Sequence, residues 1–130
     1  MFATDEAADE WLRKNSAYYA RMAADVDTRG GYKFRTANHP KGMVLYENGQ
    51  RYIEMNERLV GPERVSVLIF ELTNAYQDAR HQEVDARARD GRITDAIHFG
   101  LLHELVEYDG LRHHRWVLAD LDKVVGGIPR

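Results

Sequence analysis

Along the chain the spacing of apolar positions changes twice, and each change marks a boundary between elements. Trp11, Tyr18, Met22 and Val26, with Asn15 among them, share one helical face behind Thr4, Asp5 and Glu6. A hydroxyl cap and two acids suit the positive end of a helix. The pattern predicts one amphipathic N-terminal helix of about five to six turns, ending before Gly30-Gly31. Its Tyr18-Tyr19 pair reads as packing rather than as a ligand platform. From Tyr32 the positions alternate instead. Tyr32 to Thr36 reads as a strand, and Met43 to Glu47 and Arg51 to Met55 read as a hairpin across Asn48-Gly49. His39-Pro40-Lys41-Gly42 between them is a loop with a solvated histidine.

Helical spacing returns at Pro62-Glu63, where Val65, Leu68, Ile69, Leu72, Tyr76 and Ala79 form a core seam. This helix is expected to run from Pro62 to about Arg89 and to stop at Asp90-Gly91. Its later charges, Arg80 to Arg89, read as a solvated face. Thr94-Asp95 caps a further helix reaching Tyr108-Asp109-Gly110. A last helix begins near Leu111 and frays at Gly126-Gly127-Ile128-Pro129. The expected fold is one α+β domain over residues 1–130: an N-terminal helix, a small antiparallel sheet of two or three strands, then three helices with the helix from Pro62 central.

Opposite the core seam of the central helix lie Val67 and Phe70, then Glu71, Asn74, Asp78 and His81, in a stripe about 80° wide. The helix is therefore apolar all round at its start and polar on one side later. Within it, Leu68-Ile69-Phe70-Glu71-Leu72-Thr73-Asn74-Ala75 resembles the active-site helix of the zincin metallopeptidases, Leu-Ile-His-Glu-Leu-x-His-Ala, with both histidines replaced. It is also similar to a small bacterial family of metallopeptidase-like proteins of unassigned function that shares the Phe-Glu-Leu-x-Asn-Ala core. The resemblance implies a minimal zincin-like fold and puts Glu71 at the general-base position. The family's two zinc-ligand positions fall on Phe70 and Asn74. Phenylalanine cannot bind a metal, and an asparagine amide is a poor zinc ligand beside imidazole.

Composition narrows the function classes. Forty-four percent apolar and 30% charged residues are those of an ordinary globular chain. A net charge of −3 supplies no basic field, so nucleic acid is a disfavoured partner. The absence of cysteine excludes disulfides, thiolate metal sites and cysteine nucleophiles, and is compatible with a reducing cytoplasm. The acidic N-terminus shows no signal peptide, and no stretch is long and apolar enough for a bilayer, so a cytoplasmic protein without membrane contact is expected.

The remaining candidate chemistry lies near the C-terminus. His98, His103, His113 and His114 cluster there, and His103 and Glu107 share a face four residues apart. Such a pair can supply two metal ligands, but its plainer reading is an exposed histidine with an acidic neighbour. His114 shares a helical side with Leu111, Leu118, Leu121 and Val125 and should point inward, where its ring needs a partner. Either a structural hydrogen bond joins Glu71, Asn74 and His114, or Phe70, Asn74, Asp78 and His114 line a remnant cleft around Glu71. Without a metal to activate water, Glu71 has no nucleophile to serve, and there is neither a Gly-x-Ser-x-Gly elbow nor a glycine-rich phosphate loop.

The expected function is therefore a non-catalytic, metal-free zincin-like domain with no cofactor. Its remnant cleft binds a protein partner or small ligand, in the manner of an adaptor, regulator or toxin-immunity protein. The alternative is a metal-dependent peptidase or hydrolase with Glu71 as base. Its zinc would be held by rearranged ligands, His103, Glu107 and His114 foremost, or drawn from His81, His98, Glu104 and His113. The sequence leaves the oligomeric state open.

Overall fold

Ser16 divides the N-terminal helix in two. In the computed structural model, which describes residues 2–38, 42–124 and 126–129, helix α1 spans Asp5–Asn15 and helix α2 spans Ala17–Asp27. Ser16 between them is extended, with φ −135° and ψ 114°. Its Oγ accepts from the Tyr19 amide at 3.1 Å and donates to Asp120 at 2.8 Å. Periodicity alone predicts one helix here. A serine that caps from within the pattern and finds a distant acceptor breaks it. The break also changes which tyrosine is buried. Tyr19 is fully enclosed, with its hydroxyl on Asp9, while Tyr18 stacks half-buried on Trp116.

Three strands follow: β1 at Lys33–Ala37, β2 at Gly42–Glu47 and β3 at Gln50–Asn56. The β2-β3 hairpin turns on Asn48 and Gly49, both at positive φ (51° and 78°), as an Asn-Gly two-residue turn requires. The sheet order is β1-β3-β2, and β1 runs parallel to β3, pairing Lys33 with Tyr52 through Ala37 with Asn56. The sheet is thus mixed rather than antiparallel throughout, because the chain reverses direction between β1 and β2 and again between β2 and β3, so β1 and β3 point the same way. The loop expected at His39 to Lys41 and the inward position expected for Val125 lie outside the described residues.

Two long helices complete the fold, α3 at Gly61–Arg89 and α4 at Ala96–Asp122. Asp95 caps α4 by accepting from the Ile97 amide at 2.7 Å. The stop expected at Gly110 does not occur, so two helices follow the sheet, not three. Gly110 is instead where α4 meets α3. A methyl group there would lie 3.4 Å from Gln77 Cγ and 3.7 Å from Thr73 Cγ2. A glycine within a helix costs about 1 kcal/mol of propensity, a modest loss that continued packing on both sides outweighs.

One core joins these elements. Leu12, Tyr19, Met22 and Val26 from the first two helices meet Ile53 and Met55 of β3, Leu68, Ile69 and Leu72 of α3, and Val117 and Leu121 of α4. The α3 seam is buried as expected through Leu72. Further along, Thr73, Ala75 and Gln77 are buried while Tyr76 and Ala79 are only partly so, because β2 and α4 cover different sides of the helix. Beyond Gln77 only Val84 is buried on α3, and the solvated second half follows the charge pattern. Among the described residues, no helix is long and apolar enough to cross a membrane.

Candidate functional site

Glu71 occupies the half of α3 that packs against the start of β2 and is 5% exposed. Gly42 makes that approach possible. A Cβ at Gly42 would lie 2.9 Å from Val67 Cγ1, 3.1 Å from the Glu54 carbonyl oxygen and 3.1 Å from Glu71 Cγ. No side chain fits between strand and helix at that point.

Where the two elements diverge, a groove of about 550 Å³ opens. Met43, Val44, Leu45 and Tyr46 of β2 line one wall, and Phe70, Glu71, Asn74, Gln77, Asp78 and His81 of α3 line the other; Arg51 and Glu107 join the lining. The structure therefore brings together four of the predicted cleft residues: Phe70, Glu71, Asn74 and Asp78. His114 stands apart from this groove. Its ring meets Phe70 edge-on at 6.1 Å, and its Nε2 is buried without a hydrogen-bond partner. No hydrogen bond links it to Glu71 or Asn74. Leu111 and Leu118, expected to share its inward side, are exposed, because α4 continues in register from Ala96 and only Val117 and Leu121 of this stretch face the core.

Two groove residues that the sequence did not suggest are Arg51 and Gln77. Arg51 is buried. Its Nη2 reaches Asp78 Oδ2 at 3.5 Å and its guanidinium lies 5.6 Å from the centre of the Tyr46 ring, but its Nη1 has no partner. Gln77 donates from Nε2 to the Val106 carbonyl at 2.8 Å, while its buried Oε1 accepts nothing. A buried donor and a buried acceptor thus stand unused on the same lining, an arrangement that costs free energy in the isolated fold. Alternation in β3 places Arg51 on the face shared with Ile53 and Met55, the one signal that marked it as inward.

The residues at the helix do not fit a zinc ion. Phe70 and Asn74 flank Glu71, and neither supplies an imidazole. Among the described residues, no group of three or more histidines and carboxylates is arranged to hold a metal. Of the histidines considered as ligands, His81 and His103 have both ring nitrogens engaged. His81 and His103 meet Nδ1 to Nδ1 at 2.7 Å, which requires one of the two nitrogens to carry a hydrogen. Their outer nitrogens reach Glu107 at 2.8 Å and Asp85 at 3.0 Å. The His103–Glu107 pair read from helical spacing is thus bridged by His81 of the neighbouring helix. His98 is exposed on the first turn of α4.

His113 and His114 sit at the other end of the helix pair. His113 packs edge-on against Tyr76 and Trp116, with Nε2 3.3 Å from Asp109. Burial lowers the pKa of His113 despite Asp109, and burial alone lowers that of His114. Burial pushes the Asp109 carboxyl upward, but its hydrogen bond from Arg80 and the charge of His113 hold it below the usual range.

A second cavity, of about 310 Å³, lies among α1, β1 and the start of α3. Two of its charged groups are matched to each other, since Arg64 forks onto both oxygens of Asp5 at 2.7 Å. The chain matches no protein-family profile, no curated protein and no solved structure.

Proposed function

We propose that the chain is a non-catalytic, zincin-like binding domain whose groove around Glu71 takes an extended segment of a protein partner, or a small ligand of similar chemistry. The observation that carries this reading is the unused donor of Arg51 and unused acceptor of Gln77 on the lining of a groove walled by an edge strand. A peptide group offers one carbonyl and one N–H, the complement of that pair. The outer edge of β2 offers further backbone groups for strand addition. Exposed Met43 and Tyr46 on the strand and Phe70 on the helix provide apolar contacts for alternate side chains. Asp78 and Glu107 give the lining acidic groups, which favour a segment carrying lysine or arginine. Nucleic acid, an anion, is disfavoured by the same charges, and the setting we propose is the cytoplasm.

Hydrolysis by the zincin route is not part of this reading, because the helix lacks the imidazoles that hold a metal beside Glu71. The test is a thermal-shift and titration screen of short basic and acidic peptides against the wild type and against Gln77→Met. Basic peptides should raise the melting temperature, and Gln77→Met should weaken their binding at least about tenfold while the variant stays folded. Binding that ignores Gln77→Met would remove the groove from the reading. Stoichiometric metal, lost together with peptide cleavage in Glu71→Gln, would overturn it. The Phe70→His, Asn74→His double variant tests the scaffold itself: zinc uptake supports the zincin-like geometry, and a folded variant indifferent to zinc counts against it.

A further inference from the structure

The outer face of α4, turned away from the core, carries an apolar stripe left exposed by the described residues. Ile97, Leu101, Leu105, Tyr108, Leu111 and Leu118 are each between 37% and 75% exposed. At 100° per residue they lie on one side of the helix, opposite Gly110, Val117 and Leu121, which are buried. Their spacing carries exposed apolar surface along α4 from its first turn to Leu118, the kind of surface that marks an interaction site.

Two opposite charges sit along the centre of this stripe. Glu104 lies toward the N-terminal end and Arg115 toward the C-terminal end, both exposed, and among the described residues neither has a side-chain ion pair or hydrogen bond. They are eleven positions apart, too far along the helix to meet each other. An antiparallel copy of the same helix satisfies both at once. In the register that sets Glu104 level with Arg115 of the second copy, Leu101 stands level with the second copy's Leu118, and Tyr108 with its Leu111. By the two-fold axis each of these layers occurs twice. A parallel pair would instead place Glu104 against Glu104 and Arg115 against Arg115.

We infer that this face of α4 is a self-complementary interface through which two copies of the chain pair, helix antiparallel to helix. Apolar layers supply the attraction, and the Glu104–Arg115 contacts fix direction and register. The inference does not depend on what the groove binds, since Ile97, Leu101, Leu105, Tyr108 and Leu118 lie outside its lining, and Leu111 alone of the stripe shares a small pocket with the groove residues Phe70 and Gln77.

Sedimentation or light scattering across micromolar concentrations, on the full chain, provides the test. The wild type should be a dimer. Glu104→Arg and Arg115→Glu each bring like charges together twice in the dimer and should raise its dissociation constant at least about tenfold, with folding unchanged because both sites are exposed. The double variant restores opposite charges in reverse and should recover the dimer. Tyr108→Asp should leave a folded monomer. A wild type that stays monomeric over the whole range, or a double variant no better paired than either single one, would overturn the inference. Dimerisation untouched by Tyr108→Asp would overturn it as well.

Discussion

The two ends of the α3–α4 pair treat the same residue type in opposite ways. Toward the connecting loop, His81 and His103 meet one another and end on Glu107 and Asp85, so every ring nitrogen has a partner. Toward the core, the Nδ1 of His113 and the Nε2 of His114 are buried without partners among rings of Trp116, Tyr76 and Phe70. At the loop end the imidazoles work as hydrogen-bonding bridges between solvated helices. At the core end each ring keeps one buried nitrogen without a partner and packs on aromatic neighbours, His113 also reaching Asp109 at 3.3 Å, and burial lowers the pKa of both. Histidine spacing allowed a metal pair beside its plainer reading, an exposed histidine with an acidic neighbour, and depth in the helix pair decides what each ring does.

Packing differs between these ends just as sharply, and the largest expected effect tests that. Leu72 is fully buried in the core half of α3, and Leu72→Ala should cost about 2–5 kcal/mol in denaturant unfolding. Val84→Ala, in the loop half, should cost clearly less; equal losses would erase the contrast. Next is Gly42→Ala, which must push β2 away from the Glu54 carbonyl and from α3 for about 1–3 kcal/mol. It should also weaken whatever the groove binds, a coupling that a titration alongside the unfolding curve reads.

The third effect is a pH dependence. Because burial lowers the folded-state pKa of His113 and His114, the unfolded chain takes up protons first as pH falls below about 6.5. Stability should therefore be present above that pH and be lost progressively below it. His114→Phe should flatten the acid slope while keeping the ring packed on Phe70, and an unchanged slope would mean that His114 does not carry it. The smallest effect is at the loop end. A double-mutant cycle of His81→Ala and His103→Ala should give a coupling of about 0.5 kcal/mol, since both rings are part-exposed. A coupling of several kcal/mol would make that end as structural as the core.

Of the groove, Phe70, Glu71, Asn74 and Asp78 were legible in the sequence because one helical stripe carries them all. Arg51 and Gln77 were not. Arg51 reaches the groove from β3, behind the edge strand, and Gln77 lies beside the seam on the side that only α4 covers. Both depend on neighbours far away in the chain, and local periodicity carries no information about those.

By itself the sequence determined the elements whose cause is local: the Thr4 and Asp95 caps, the Asn48-Gly49 hairpin, the start of the α3 helix near Pro62 and its solvated second half. Tertiary structure decided the rest. It split the N-terminal helix at Ser16 by supplying Asp120, and it carried α4 through Gly110 by packing it against Gln77 and Thr73. It laid β1 parallel to β3 and turned the leucines of α4 outward. In each case local preference leaves two choices open, as at Gly110 where glycine costs a helix only about 1 kcal/mol, and contacts between residues distant in sequence separate them.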